Sequence, residues 1–188
     1  MFGADRTTEI VVVKDTGNIA KAKSNDCVLF AMDVSTVLDA LPEEPIFDLV
    51  VTSPPYNIGK AYEKKMNLTR YMEWQEGIIR KIYPRLKDTG SICWQVGNYV
   101  EDGAIVPLDY VVAPIFKSLN MQLRNRIIWH FGHGLHTKRR FSGRYEVVLW
   151  YTKQKDIRLT SILSGYLQNI QEKGISKVPV RESFQGIR

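Results

Sequence analysis

The sequence predicts an α/β domain, a sheet covered by helices on both faces. Short apolar runs alternate with stretches of helical spacing along most of the chain. Its 188 residues suffice for one domain with one core, and 44% hydrophobic against 24% charged residues is the balance of a globular chain. One apolar run also ends abruptly in a double-proline turn, the kind of strand end at which open α/β sheets place ligands.

The first two apolar runs, residues 9–13 and 27–32, read as strands. Residues 34–41 carry Val34, Val37, Leu38 and Leu41 on one helical face, and Pro42 stops that helix. A third strand covers 47–52. The longest helix is predicted over 68–86, capped by Asn67 or Thr69, with Tyr71, Trp74, Ile78, Ile82 and Leu86 along one side. Tyr71, Trp74 and Tyr83 at that spacing read as core rather than as a ligand platform. A strand at 91–96 follows, then a helix at 107–119, where Pro107 suits the first turn and Pro114 predicts a kink. Strands at 121–129 and 145–151 complete the pattern. Beyond residue 156, a helical stretch at 157–170 gives way after Gly174 to polar residues with no strand, as in a linker.

No run approaches 18 apolar residues, and the opening residues Met1 to Arg6 lack the layout of a secretory signal, so the expectation is a cytoplasmic protein without a membrane partner. Cys27 and Cys93 both sit in apolar, strand-like runs and are expected to be buried, reduced thiols. The net charge is +6, and residues 124–158 alone hold nine Lys or Arg against two acids. That concentration predicts a polyanionic partner. Within it, residues 130–141 mix cations, glycines and aromatics. Lys138, Arg139, Arg140 and Arg144 suit phosphates, and Phe131 or Phe141 suits an unstacked base. The plainer alternative is a solvated basic hairpin. His130, His133 and His136 recur at spacing three, but glycines separate them and no carboxylate or cysteine joins them, so no metal site is expected.

The chemistry concentrates where strand 47–52 runs into Ser53, Pro54, Pro55 and Tyr56. Two prolines fix φ and remove two amide donors, leaving a stiff corner whose carbonyls face a ligand without competing N–H groups. An exocyclic amine on adenine or cytosine is a poor nucleophile because its lone pair is delocalised into the ring. A Ser53 oxygen and a Pro54 carbonyl, each accepting one N–H, would localise that pair, and Tyr56 would stack on the ring. As a bare tetrapeptide the motif could equally be a surface turn. Its place after an apolar strand opened by Asp48, with Asn57, Ile58 and Gly59 following, favours the site.

Residues 48–59, DLVVTSPPYNIG, resemble the catalytic segment of amino-specific DNA methyltransferases, the cytosine-N4 and adenine-N6 enzymes. Residues 27–41, with Asp33 before the helix, are similar to the segment that precedes this strand in members of permuted motif order. Residues 124–153 are similar to their later paired strands and basic loop. The resemblance implies a partial Rossmann-like methyltransferase sheet and S-adenosylmethionine as cofactor. It makes Ser53, Pro54, Pro55 and Tyr56 the pocket of the target base, and Asp33 a cofactor contact. Double-stranded DNA would lie on Lys138, Arg139, Arg140, Phe141 and Arg144. Serine at the first motif position inclines the target towards cytosine, since aspartate is more usual in adenine enzymes. On this reading residues 1–156 form the catalytic portion, with a DNA-facing loop at about 130–144, and 157–188 form a linker or the start of a target-recognition region.

One part of the family pattern does not occur in these 188 residues: a Phe-x-Gly-x-Gly cofactor loop. Gly132, His133 and Gly134 lack the preceding strand ending in Asp-Pro-Phe. A carboxy-terminal continuation or a second polypeptide is therefore expected to carry that loop. The alternatives are a non-catalytic DNA-binding module and an amino-methyltransferase acting on RNA or a protein glutamine. Attack on carbon 5 of cytosine needs a cysteine nucleophile where Tyr56 stands, and phosphoryl transfer needs a phosphate loop that the sequence lacks.

Overall fold

The computed structural model describes residues 10–14, 27–59, 65–132 and 141–154. The expected tail at 157–188 and Lys138, Arg139, Arg140, His133 and His136 lie outside the described residues.

Strands β1 (Ile10–Val13) and β2 (Cys27–Phe30) pair in parallel as a two-stranded sheet. Helix α1 (Val34–Ala40) follows, and its cap is Asp33, whose Oδ1 accepts from the amides of Ser35 at 2.9 Å and Thr36 at 3.4 Å. The central sheet has four strands in the order β3 (Phe47–Thr52), β4 (Leu86–Val96), β8 (Tyr145–Thr152) and β7 (Gln122–His130). The first pair is parallel, because α2 (Leu68–Ile82) carries the chain back between them, and the other two pairs are antiparallel.

Alternation along β4 and β8 decides where the core lies. Ile92, Trp94 and Val96 face the same side as Val147, Leu149 and Tyr151. There they meet α2 through Ile78, Ile79 and Ile82 and α3 (Leu108–Ser118) through Val112, Ile115 and Phe116. Phe116 stacks on Tyr151 with centroids 4.2 Å apart and meets Trp94 edge-on at 5.8 Å. Helix α1 abuts α2, where Lys81 bonds Ser35 and Asp39, each at 2.6 Å. These are the helices of the α/β fold among the described residues, and α2 and α3 share one face of the sheet.

Several boundaries differ from the sequence expectation for physical reasons. The helix expected over 68–86 stops at Ile82, because Pro84 cannot continue the i→i−4 ladder; a 3-10 turn, Tyr83–Arg85, follows, and β4 starts at Leu86. A hairpin of β5 (Asn98–Glu101) and β6 (Ala104–Pro107) intervenes, turning on Asp102 at φ 50° and Gly103 at φ 82°. Helix α3 runs through Pro114. The carbonyl of Tyr110, left without its usual partner, belongs to an exposed residue, so water can satisfy it. Cys93 is buried, as expected, but Cys27 is exposed; both are free thiols. The burial of Cys27 is thus corrected: β2 is a short strand whose residues alternate outward, and Cys27 is an outward one.

A buried arginine ties the start of β3 to the helix ends. Arg85 donates to the carbonyls of Lys81 at 2.7 Å and Leu41 at 2.8 Å, and its own carbonyl accepts from the amide of Ile46 at 2.8 Å. Both carbonyls its guanidinium meets close helix C-termini, where the helix dipole favours a cation. No described helix is long and apolar enough to cross a membrane.

Candidate active site

The site forms where β3 ends beside β4. Thr52 lies across from Trp94, and the chain then leaves the sheet as Ser53, Pro54, Pro55 and Tyr56. The next residue, Asn57, holds a left-handed φ of 59°, which asparagine tolerates better than most side chains. Its amide clamps Met66 twice: Oδ1 accepts from the backbone N–H at 2.7 Å, and Nδ2 donates to the carbonyl at 2.8 Å. Asn57 is 2% exposed, so this clamp fixes the corner against the entry to α2.

Inside the corner the acceptors are divided. The Pro55 carbonyl accepts from the phenol of Tyr71 at 3.1 Å, which anchors the turn to the buried face of α2. The Pro54 carbonyl meets no donor among the described residues, and neither proline has an N–H to offer. Ser53 is exposed. Its Oγ sits 2.8 Å from the phenol oxygen of Tyr56.

Tyr56 is half-buried and held from three directions. Its hydroxyl contacts Ser53 and donates to Glu146 Oε2 at 3.0 Å. Gln95 Nε2 donates to the same oxygen at 2.5 Å. One side of the ring lies against Gly97, where a Cβ would fall 2.9 Å from Cδ2 and 3.0 Å from Cε2. Burial first, and Glu146 as well, push the Tyr56 phenol above its usual range, while the Ser53 contact works the other way. The hydroxyl therefore keeps its proton at neutral pH.

An open cavity of about 540 Å³ adjoins the corner. It runs from Val34 and Leu38 of α1 past Val50 of β3 to Ser53, Pro54 and Pro55. Gln75 of α2 and Trp94 border it, and the Gln75 amide and the Trp94 indole N–H are buried without a hydrogen-bond partner among the described residues. Among those residues β3 pairs with β4 alone, and Val51 on it is 69% exposed.

The expected site residues are partly brought together. Ser53, Pro54, Pro55 and Tyr56 form one corner. Asp33 caps α1 instead of projecting freely, though its neighbour Val34 lines the cavity that the corner borders. At the open end of the β7–β8 hairpin, Arg144 accepts at its carbonyl from the amide of Phe131, and Phe141 is 98% exposed. Trp129 and Tyr145 are exposed at the same end. Sequence reasoning missed Glu146, Gln95 and Gly97, which only the β3–β4–β8 register places beside Tyr56.

Comparison with known proteins agrees with this geometry. Residues 47–183, more than half of the chain, match the family model for N6/N4 DNA methylases. The type II methyltransferase M.BglII from Bacillus subtilis is 48% identical over 127 residues, 67% of this chain; the chain spans only 35% of that relative. The cytosine-N4-specific PvuII DNA methyltransferase shares the fold at a TM-score of 0.60 and 21% identity, over 81% of this chain and 64% of that one. TTHA0409 of Thermus thermophilus, a DNA modification methylase solved with S-adenosyl-L-methionine, gives 0.56 and 21%, over 92% and 63%. With a double-proline corner closing a parallel strand and a family match that begins at the first residue of that strand, the chain belongs to the N6/N4 DNA methylase family.

Proposed function

We propose that this chain supplies the base pocket of a DNA methyltransferase that moves a methyl group from S-adenosylmethionine to the exocyclic amine of cytosine (N4) or adenine (N6) in double-stranded DNA. The observation that carries the reading is the corner itself: a serine oxygen and a free Pro54 carbonyl side by side, with no amide donor between them. Two acceptors on the two N–H bonds of an amine draw the nitrogen towards tetrahedral geometry and turn its lone pair outward. Tyr56, pinned by Ser53 and Glu146 and backed by Gly97, offers its other side to the base. The site does its work by position, and no strong general base is required.

The residues present fit one part of the cofactor. The cavity between α1 and the corner has the size and apolar lining of a small-molecule site, and the buried Gln75 amide offers it an unmet donor and acceptor. Asp33 stands beside that cavity as the acidic contact. When bound, S-adenosylmethionine supplies a methyl group already activated on a sulfonium. A glycine-rich loop for the rest of the cofactor would come from sequence outside residues 1–188, on the same polypeptide or on a second one, in keeping with a chain that spans 35% of M.BglII. Phe141 and Arg144, with Lys138, Arg139 and Arg140, would face the DNA at the open end of the β7–β8 hairpin.

The test is methyl transfer by the whole protein from labelled S-adenosylmethionine to DNA, followed by digestion to nucleosides. Labelled N4-methylcytosine or N6-methyladenine is expected from the wild type and none from Tyr56→Ala. Label in RNA or protein but not in DNA would reject the reading.

A further inference from the structure

We infer that Glu146 sets the direction of the hydrogen bonds in the Ser53–Tyr56 pair, so that Ser53 Oγ meets the target amine only as an acceptor. The inference rests on the proposed methyl transfer for the identity of that amine, and on the geometry for everything else. Glu146 is a positioning residue, since it acts through Tyr56.

The 2.8 Å contact between the two hydroxyls is ambiguous by itself, because either oxygen can donate. Glu146 removes the ambiguity. A carboxylate only accepts, so the 3.0 Å contact with Oε2 consumes the single hydrogen of the Tyr56 phenol. The hydrogen between Ser53 and Tyr56 must then come from Ser53. With its own hydrogen turned inward, Ser53 Oγ presents lone pairs to the outside, where the residue is exposed. The opposite polarity would aim a hydroxyl hydrogen at the amine nitrogen and tie up the electrons that must take the methyl group.

The carboxylate is itself held in place. Gln95 lies opposite Val148 in the β4–β8 register, so Glu146 is its diagonal neighbour on the same face. The Gln95 amide reaches across and donates to Oε2 at 2.5 Å. Both donors converge on one oxygen, leaving Glu146 no role in this cluster except acceptance.

The inference predicts non-additivity, tested by Glu146→Gln, Tyr56→Phe and the double variant in the whole protein. Glu146→Gln leaves an amide that can donate as well as accept, and should lower kcat for methyl transfer by on the order of 10-fold to 100-fold with little change in KM for DNA. In the Tyr56→Phe background, which has no phenol hydroxyl to orient, the same change should cost less than about 2-fold. Equal losses in both backgrounds, or a change confined to KM, would overturn the inference. A second measurement needs no methyl transfer. With 13C-labelled tyrosine and Tyr56→Phe to assign the signal, Tyr56 should titrate at lower pH in Glu146→Gln than in the wild type. An unshifted titration refutes the Tyr56–Glu146 bond even if the protein methylates nothing, whereas a shifted one in a protein that methylates no DNA faults the proposed function alone.

Discussion

The phenol oxygen of Tyr56 lies 3.0 Å from a carboxylate oxygen of Glu146, although 90 positions of sequence separate the two residues. The β3–β4–β8 order makes this meeting possible, because β4 alone stands between the strand that ends at the corner and the strand that carries Glu146. The open end of the β7–β8 hairpin is thereby joined to the base pocket: Arg144 and Tyr145 directly precede the residue that holds Tyr56.

Gly97 gives the first prediction. A methyl group there would lie 2.9 Å from the Tyr56 ring, closer than carbon atoms approach, so Gly97→Ala must displace the ring or the strand end. Displacing the ring breaks both of its hydroxyl contacts. Methyl transfer should fall by at least about 10-fold, while the melting temperature drops by no more than a few degrees, as expected when one exposed site rearranges. Unchanged transfer by the variant would show that the ring does not need that wall.

Asn57 gives the second. Asn57→Gly keeps the left-handed backbone but loses both bonds to Met66, and Asn57→Ala loses the bonds and adds strain. Urea unfolding should rank wild type above glycine above alanine, with the last step worth about 1 kcal/mol. Equal stability of the two variants would mean the φ of 59° carries no cost.

How much of this was legible in the sequence depends on the range over which the signal acts. The corner was readable because its stiffness is local: two prolines after an apolar strand fix the chain whatever surrounds them. The α1 helix, with an aspartate before it and a proline after it, was readable for the same reason. The β5–β6 hairpin was also written locally, as Asp102-Gly103 between two apolar runs, but its strands are short and a helix follows at once. The end of α2 was signalled by Pro84, yet the apolar spacing runs on through Leu86, which is buried as the first residue of β4 instead. Glu146 had no local signal at all. It is one acidic residue in a basic stretch, and only the pairing of β8 with β4 puts it beside Gln95 and Tyr56.

Arg85 gives a third prediction, about the frame that positions β3. It is 6% exposed and meets carbonyl oxygens where other buried arginines meet carboxylates. Replacing it with methionine leaves the Lys81 and Leu41 carbonyls without their donor, but also relieves the desolvation of a cation. The bonds from a charged donor are worth more, so Arg85→Met should destabilise by about 1–3 kcal/mol in denaturant unfolding. Arg85→Lys should rescue little, since one ammonium cannot match a planar fork spanning two helix ends. Full stability of either variant would show that the two helix ends close without this side chain.

The two cysteines give the last. Cys93 sits in β4 between Val51 of β3 and Trp150 of β8, and burial pushes its thiol up to about 11. A working pH of 8 lies about three units below that value, so roughly one molecule in a thousand carries the thiolate that an alkylating agent attacks. Cys27 is exposed, and reagent reaches it directly. Iodoacetamide at pH 8 should therefore modify Cys27 in the native protein and reach Cys93 only once urea opens the sheet, as read by peptide mass spectrometry. The same shift has a stability consequence whose sign follows from its direction. The folded state holds the Cys93 proton more tightly than the unfolded chain does, so its contribution is complete below the ordinary thiol range and is lost as pH rises through about 11. Replacing Cys93 with alanine should flatten that alkaline loss while costing some packing at neutral pH; an equally steep loss in the variant would assign it to another group, for which Tyr151, raised to about 12 by burial and then by Asp109, is the nearest candidate.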